Sequence, residues 1–552
     1  MKRLNAAISL FLTVAFIAPG FAFAQNGVPA RDEIYAKIRK EGTDNSKVMN
    51  TIHYFTDLYG PRLTGSPNYN NAAKWGTEEM KRWGFDNTFL EPWEFGHPGW
   101  VNERNTGMIV APMQDTLVYE VLAWTPSTKG AVTGDAFHLS IPQFPAAENP
   151  RVIQNPTQAE LTAYLESIRP AVSGKIVLVG NHTFVDQTTA QAAKRLNDDL
   201  VRCRADVTKS PQECAALAGG PVRPQGPPPT RVTPRPNALN GGQINEQLDK
   251  FLLDNGVLVR INESQLDRGL VRAFNNRTFD VTKVVPTVVL RNEDFGRVTR
   301  LLASKVPVRL EFDIRNRTIP ETVSYNMIGE IAGSDKKDEV IMLGGHLDSW
   351  HSATGATDNA VGCATMMEAA RILKAIGVKP RRTIRVACWA GEEQGLLGSQ
   401  AYVKKHFGTF EAPTPEYSKF GGYFNIDSGT GKARILTVFG PPEAATVLRD
   451  ALAPFSDFGF GGVVPTSSRN LGGTDSTSFN NAGLPGIGST QDPIEYFAGS
   501  WHTNIDTYER IIEDDVKKSA MIFAAGVYTL AMRDELLPRF AADKMPKPPA
   551  GN

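Results

Sequence analysis

From residue 319 to about 533 the chain repeats one pattern: a short apolar strand, a loop, then an amphipathic helix. The apolar runs fall at 339–343, 382–389 and 423–426, and the spacing predicts helices over about 359–375 and 511–532. Strands that alternate with helices form a mostly parallel sheet, because each parallel neighbour needs a crossover long enough to hold a helix. The predicted fold class is therefore α/β, a mostly parallel or mixed sheet sandwiched by helices.

The same alternation decides where the ionisable side chains go. His346 and Asp348 follow the first strand through Gly344-Gly345, Glu392 and Glu393 follow the second, and Asp427 ends the third. All lie at the carboxyl ends of predicted strands, and in an open parallel sheet those ends converge on one crevice where ligands bind. Carboxylates gathered there from separate stretches repel one another unless a cation lies among them. With an imidazole in the set the natural ion is zinc, with cobalt or manganese as alternatives.

Taken singly the fragments say little, since Gly-Gly-His is an ordinary turn and Glu-Glu an ordinary solvated face. Their order and spacing are specific. Gly344-Gly-His-Leu-Asp-Ser349, Gly355-Ala-Thr-Asp-Asn359, Ala390-Gly-Glu-Glu-Gln-Gly395, Asn425-Ile-Asp-Ser428 and Ser500-Trp-His-Thr503 follow one another along the chain. Together they resemble the two-zinc exopeptidase family that contains bacterial leucyl aminopeptidases, glutamate carboxypeptidase and carboxypeptidase Q. The resemblance is strongest to carboxypeptidase Q and its bacterial relatives, and Gly60-Pro-Arg-Leu-Thr-Gly-Ser-Pro67 and Leu90-Glu-Pro-Trp93 extend it towards the amino terminus.

That resemblance implies the zinc exopeptidase fold, two Zn2+ per chain and a peptide substrate. Asp358 would bridge both metals, His346 and Asp427 would complete one, and Glu393 and His502 the other. Glu392 would be the general base, with its neighbour Glu393 on the opposite side of an extended segment. Asp348 would orient the metal-binding groups. Many relatives place Tyr before the last histidine ligand, to give a hydroxyl to the oxyanion. Trp501 stands there in this chain, which leaves Tyr496 as the candidate donor.

The implied activity is hydrolysis of dipeptides or short peptides, in the carboxypeptidase Q-like or the aminopeptidase direction. An acidic pocket would select a free amine, for which Asp475 is a candidate, and an arginine would grip a carboxylate, for which Arg434 and Arg469 are candidates. Two other classes compete: a binding protein on a catalytically inactive peptidase fold, and a glutaminyl-peptide cyclase with a single zinc. Metal stoichiometry separates the cyclase from the peptidase.

Upstream of this domain, Lys2 and Arg3 precede an apolar run over 4–23 that ends Ala22-Phe23-Ala24, the pattern of a cleavable signal peptide over 1–24. The expected location is secreted or periplasmic, with no membrane anchor after cleavage. Residues 25–115 read as a first catalytic segment and 319–535 as a second one holding the metal site. Between them, 116–318 carries β-rich runs at 175–180, 256–261, 285–290 and 306–312, and resembles an inserted protease-associated domain. Seven prolines over 219–242 read as a mobile loop, and 536–552 as a disordered tail.

Lys plus Arg equals Asp plus Glu at 59 each, so no net field favours nucleic acid or anionic lipid. A homodimer is left open. Cys203 and Cys214 flank a polar loop that an oxidising compartment could bridge, whereas Cys363 and Cys388 sit among apolar residues and read as buried thiols. His53, His97, His138, His182, His351 and His406 read as structural or surface residues.

Overall fold

In the computed structural model the described residues are 31–146, 149, 152–185, 195–215, 217, 235–274 and 278–549. The expected signal peptide and most of the proline-rich stretch lie outside them.

Two eight-stranded sheets organise the chain. The first runs in the order Asn87–Glu94, Val323–Ile331, Arg382–Trp389, Lys336–His346, Phe420–Asn425, Gly486–Gln491, Ala433–Phe439, Gly462–Thr466. Its centre is parallel: Lys336–His346 pairs with Arg382–Trp389 on one side and Phe420–Asn425 on the other. Antiparallel pairings towards both edges make it a mixed sheet.

Side chains alternate across the central strands, as a pleated backbone requires. Ile341 and Leu343 enter one core, and Val340 and Met342 enter the other. Helices Val361–Ala375 and Glu513–Met532 cover the first face, while Leu397–His406 and Ser476–Asn481 cover the second. Each large apolar side chain fully buried there contributes roughly 1.5–3 kcal/mol. Phe420–Asn425 is buried at every position, the signature of a strand covered on both faces. A Cβ at Gly344 would lie 1.8 Å from the carbonyl oxygen of Ala387, so the central strands approach too closely for any other residue at the start of the Gly-Gly-His turn.

The second sheet runs Asp115–Thr116, Gly99–Ala111, Arg309–Ile319, Val132–Leu139, Ile176–Val179, Val259–Glu263, Thr287–Leu290, Tyr119–Val121. It takes in Gly99–Ala111, upstream of the β-rich run of sequence, because that strand pairs along its length with Arg309–Ile319. Helices Gln158–Val172, Asp198–Ala205, Gly241–Asp254 and Asn292–Ala303 also lie in this region, none of them anticipated. Two open with capping boxes that are visible in the sequence, Thr157 with Glu160 and Asn240 with Gln243. Residues 241 and 242 accordingly begin a helix and do not end a loop.

Two further expectations need correction. The disordered tail from 536 is in fact packed as far as Pro546. Leu537 is buried, the Phe540 ring lies 5.3 Å from that of Phe439, and Arg469 Nη1 donates to the Pro546 carbonyl at 3.1 Å. Those apolar anchors outweigh the Pro-rich composition. Cys363 and Cys388 form a disulfide, with Cα atoms 5.7 Å apart, because the helix that carries one crosses the strand that carries the other. Cys203 and Cys214 form the other, with an S–S distance of 2.04 Å. Among the described residues no helix is long and apolar enough to cross a membrane.

Candidate metal centre

Strand register brings the candidate ligands together. His346 faces Trp389 across one ladder and Gly344 faces Asn425 across the other, so the three central strands end in one row. His346 is the last residue of its strand, Asp427 follows the end of Phe420–Asn425, and Glu392 and Glu393 follow the end of Arg382–Trp389. The glutamates stand on a tight turn, not on the extended segment expected. Gly391 takes φ +70°, and the Glu392 carbonyl accepts from the backbone N–H of Gly395 at 2.8 Å and of Leu396 at 2.9 Å. Both glutamates nevertheless reach the cleft.

Asp358 comes from the kinked segment Ala356–Ala360, where its own backbone is extended at φ −133° and ψ 88° and which follows Gly355 at φ +63°, and His502 comes from a loop where its own φ is +60°. His346 Nε2 lies 3.1 Å from Asp358 Oδ1 and 3.3 Å from Asp427 Oδ1. His502 Nε2 lies 3.0 Å from Asp358 Oδ2 and 2.9 Å from Glu393 Oε2. Two triads result, His346–Asp358–Asp427 and Asp358–Glu393–His502, each with its ligand atoms within 4.8 Å of one another. Asp358 belongs to both. Glu393 Oε1 is buried without a hydrogen-bond partner, and this acid-rich donor set fits divalent cations.

The electrostatics say the same. Burial would lower the His346 imidazole, yet the Asp427 and Glu392 carboxylates carry it well above its ordinary range. Burial would likewise lower His502, but Glu393 and Asp358 push it up to about 10. Burial, with Asp427, Asp475 and Glu393 alongside, holds Glu392 well above the usual carboxylate range, and burial with Asp358 pushes Glu393 up to about 7. Asp358 stays low against its burial because both imidazoles bond to it. The cluster is short of positive charge, which bound cations would supply.

Around the triads stands a supporting layer. Asp348, fully buried, accepts on Oδ1 from the Glu392 N–H at 3.3 Å, and on Oδ2 from the Glu393 N–H at 3.2 Å and the Thr64 hydroxyl at 3.0 Å. Its own carbonyl lies 2.9 Å from His346 Nδ1, which fixes that ring and aims Nε2 at the acids. Arg62 is wholly buried and donates to the carbonyls of Leu347, Thr354 and Gly355 at 2.7–2.8 Å, clamping the loop between His346 and Asp358. Asp506 accepts from the Thr357 N–H at 2.6 Å and the Asp358 N–H at 3.1 Å.

In the sequence Arg62 and Thr64 stand out only as members of the motif over 60–67, and Asp506 belongs to no motif. An arginine between Pro and an apolar residue could have drawn attention to the first, whereas nothing near Asp506 announces it.

A cleft of about 750 Å3 opens over Glu392, Glu393 and Asp427, walled by Gly473, Phe497 and Trp501. Tyr496 lines it too, buried beside Gly429. Asp475 does not line it. That side chain is wholly buried under the glycine-rich turn, so it is not placed to meet a substrate amine. Arg434 and Arg469 are engaged elsewhere, the first with Asp492 at 2.7 Å and with Asp198, the second with Glu411 at 2.7 Å. The remaining histidines lie outside the triads. His351, nearest in sequence, bonds through Nε2 to the Val121 carbonyl at 2.5 Å, and burial pulls it down to about 4.

The ends of the central strands, the Ala356–Ala360 segment and the His502 loop thus bring together two acid-and-imidazole triads with one aspartate in common, each able to hold a metal ion. Residues 326–527 match the model of Peptidase family M28. Carboxypeptidase Q of Mus musculus is 29% identical over 255 residues, 46% of this chain and 52% of the relative. The chain thus spans about half the length of the curated relatives it matches. A peptidase M28 precursor from Shewanella amazonensis has the same fold, with a TM-score of 0.62 at 21% identity over 93% of this chain and 99% of that one. A zinc aminopeptidase from Bacillus subtilis shares the fold at a TM-score of 0.52 and 18% identity, over 90% of this chain and 97% of that one.

Proposed function

We propose that this protein is a zinc-dependent exopeptidase that hydrolyses dipeptides or short peptides. The observation that carries this reading is the pair of triads joined through Asp358 at the ends of parallel strands. The M28 match and the carboxypeptidase Q relatives support it. His346 and Asp427 would hold one zinc, Glu393 and His502 the other, and Asp358 both.

Zinc, when bound, supplies Lewis-acid polarisation and brings the pKa of water to ~7. Glu392 takes a proton from the attacking water and returns it to the departing amine. Its position on the cleft, held by the Asp348 contact to its backbone, suits that task. Tyr496, with its phenol on the same cleft, donates to the oxygen that becomes negative as the carbonyl is attacked. In this reading the second sheet is the inserted domain, and export follows cleavage after Ala24. The Cys203–Cys214 disulfide accords with an oxidising compartment.

Metal analysis and kinetics of the purified chain test the reading together. About two zinc equivalents per chain are expected, and Glu392→Gln should keep both while kcat falls by ~10²–10⁴-fold. A single zinc would favour the cyclase, and undiminished turnover in Glu392→Gln would remove the assigned base.

A further inference from the structure

The proposed reaction leaves open which end of a peptide the cleft reads. Its floor is acidic, and both arginines expected to meet a carboxylate are occupied in structural ion pairs. A third guanidinium stands closer. Arg272 comes from the region of the second sheet, in a segment that docks on the His502 loop. Arg272 forms a backbone bridge with Thr503, and Val271 exchanges hydrogen bonds with Asn504 at 2.9 and 3.0 Å.

The Arg272 side chain lies over the Trp501 ring, its ζ-carbon 4.8 Å from the ring centre. Trp501 in turn stacks on His502 with centroids 4.0 Å apart and forms part of the cleft wall. Arg272 Nε is buried without a hydrogen-bond partner, and no carboxylate among the described residues pairs with the guanidinium. Burial alone acts on it, pulling it below the ordinary guanidinium range. A half-buried cation without an anion is costly, and the arrangement makes sense if the anion arrives with the ligand.

We infer that Arg272 grips the terminal carboxylate of the substrate, so that the site takes peptides with a free carboxyl end, dipeptides first among them. This rests on the peptidase reading and names its substrate class. Through Trp501 the guanidinium stands one ring away from His502, on the side of the cleft wall where the carboxyl end of a short peptide would lie in this reading. Stacking on Trp501 holds the planar fork in one orientation, which favours bidentate contact with a carboxylate. A longer peptide would extend past the guanidinium at its carboxyl end and leave it unpaired.

The experiment compares leucyl-leucine with its carboxyl-terminal amide on the full, zinc-loaded chain. Arg272→Ala should raise KM for the free acid by about 10- to 100-fold, leave kcat within a few-fold, and lower kcat/KM for the amide by no more than a few-fold. Arg272→Lys, which keeps a cation and most of the packing, should lie between. Equal losses on acid and amide, or no loss on the acid, would overturn the assignment. Calorimetric titration of Glu392→Gln, alone and combined with Arg272→Ala, tests the same preference without turnover. If the wild type hydrolyses neither peptide, the peptidase reading fails. A preference for the acid that disappears with Arg272→Ala would still sustain the carboxylate site, and no preference would end it.

Discussion

The two halves of the proposed metal centre are built differently. His346 ends a buried central strand, and its Nδ1 meets the Asp348 carbonyl at 2.9 Å while Thr64 and two backbone N–H groups hold the Asp348 carboxylate. His502 stands on a loop in the left-handed region, and its Nδ1 is buried with no hydrogen-bond partner. Its ring is held by aromatic neighbours, Trp501 stacked at 4.0 Å and the edge of Phe274 at 5.2 Å. One half is positioned by sheet register and hydrogen bonds, which are directional. The other depends on packing, partly from the second sheet's region, which is non-directional and leaves the ring without a hydrogen bond at Nδ1 to fix its rotation. The His346 half should therefore be the rigid reference of the site and the His502 half the adjustable one.

The largest effect should come from the residue the halves share. Asp358→Ala removes an oxygen from each triad at once, and its expected outcome is zinc content near zero with turnover at the detection limit. His346→Ala or His502→Ala touches one triad only. If Asp358→Ala still retains one full zinc equivalent by mass spectrometry, the halves do not depend on a common ligand and the comparison breaks at its root.

A smaller effect separates the rigid half from its support. Asp348→Asn keeps the size of the side chain but weakens its grip on the Glu392–Glu393 turn, since an amide replaces an acceptor-only carboxylate. Metal affinity or kcat/KM should fall by ~10–100-fold, the usual consequence of disturbing an outer partner of metal ligands. A change under twofold in both would mean that the strand alone positions His346.

Legibility in the sequence followed the same divide. Periodicity located the three central strands to within a few residues, and once they are parallel their ends must share a crevice, so His346, Glu392, Glu393 and Asp427 could be read as neighbours. Asp358 and His502 rest on loops, where no period fixes direction, and only the motif resemblance pointed to them. Asp506, Phe274 and Arg272 act across gaps in sequence that no local pattern bridges. The helices of the second region were missed for another reason: their apolar faces are short, and the capping boxes at Thr157 and Asn240 are quieter signals than the β-branched runs between them. Arg434 and Arg469 were plausible as free cations until their buried carboxylate and carbonyl partners were in view.

The finest test falls on Phe274. Its ring meets His502 at 87° and 5.2 Å and Trp350 at 70° and 5.3 Å, so it wedges the imidazole against Trp501 from the side of the second sheet. Phe274→Leu preserves apolar bulk and removes the edge-to-face contact, which in such pairs is worth roughly 0.5–1.5 kcal/mol beyond the area buried. One of the two zinc equivalents should then dissociate a few-fold to about tenfold more readily, as followed by competition with a chromogenic chelator. The other should keep more of its affinity, because the Phe274 ring meets His502 directly and reaches the His346 side only through Trp350 on the loop after Asp348. Equal weakening of both ions would mean that the substitution loosens the whole interface between the sheets and not one ring. No weakening at all would leave Trp501 as sufficient support for His502, and would move the adjustable element from the second sheet's region to the loop itself.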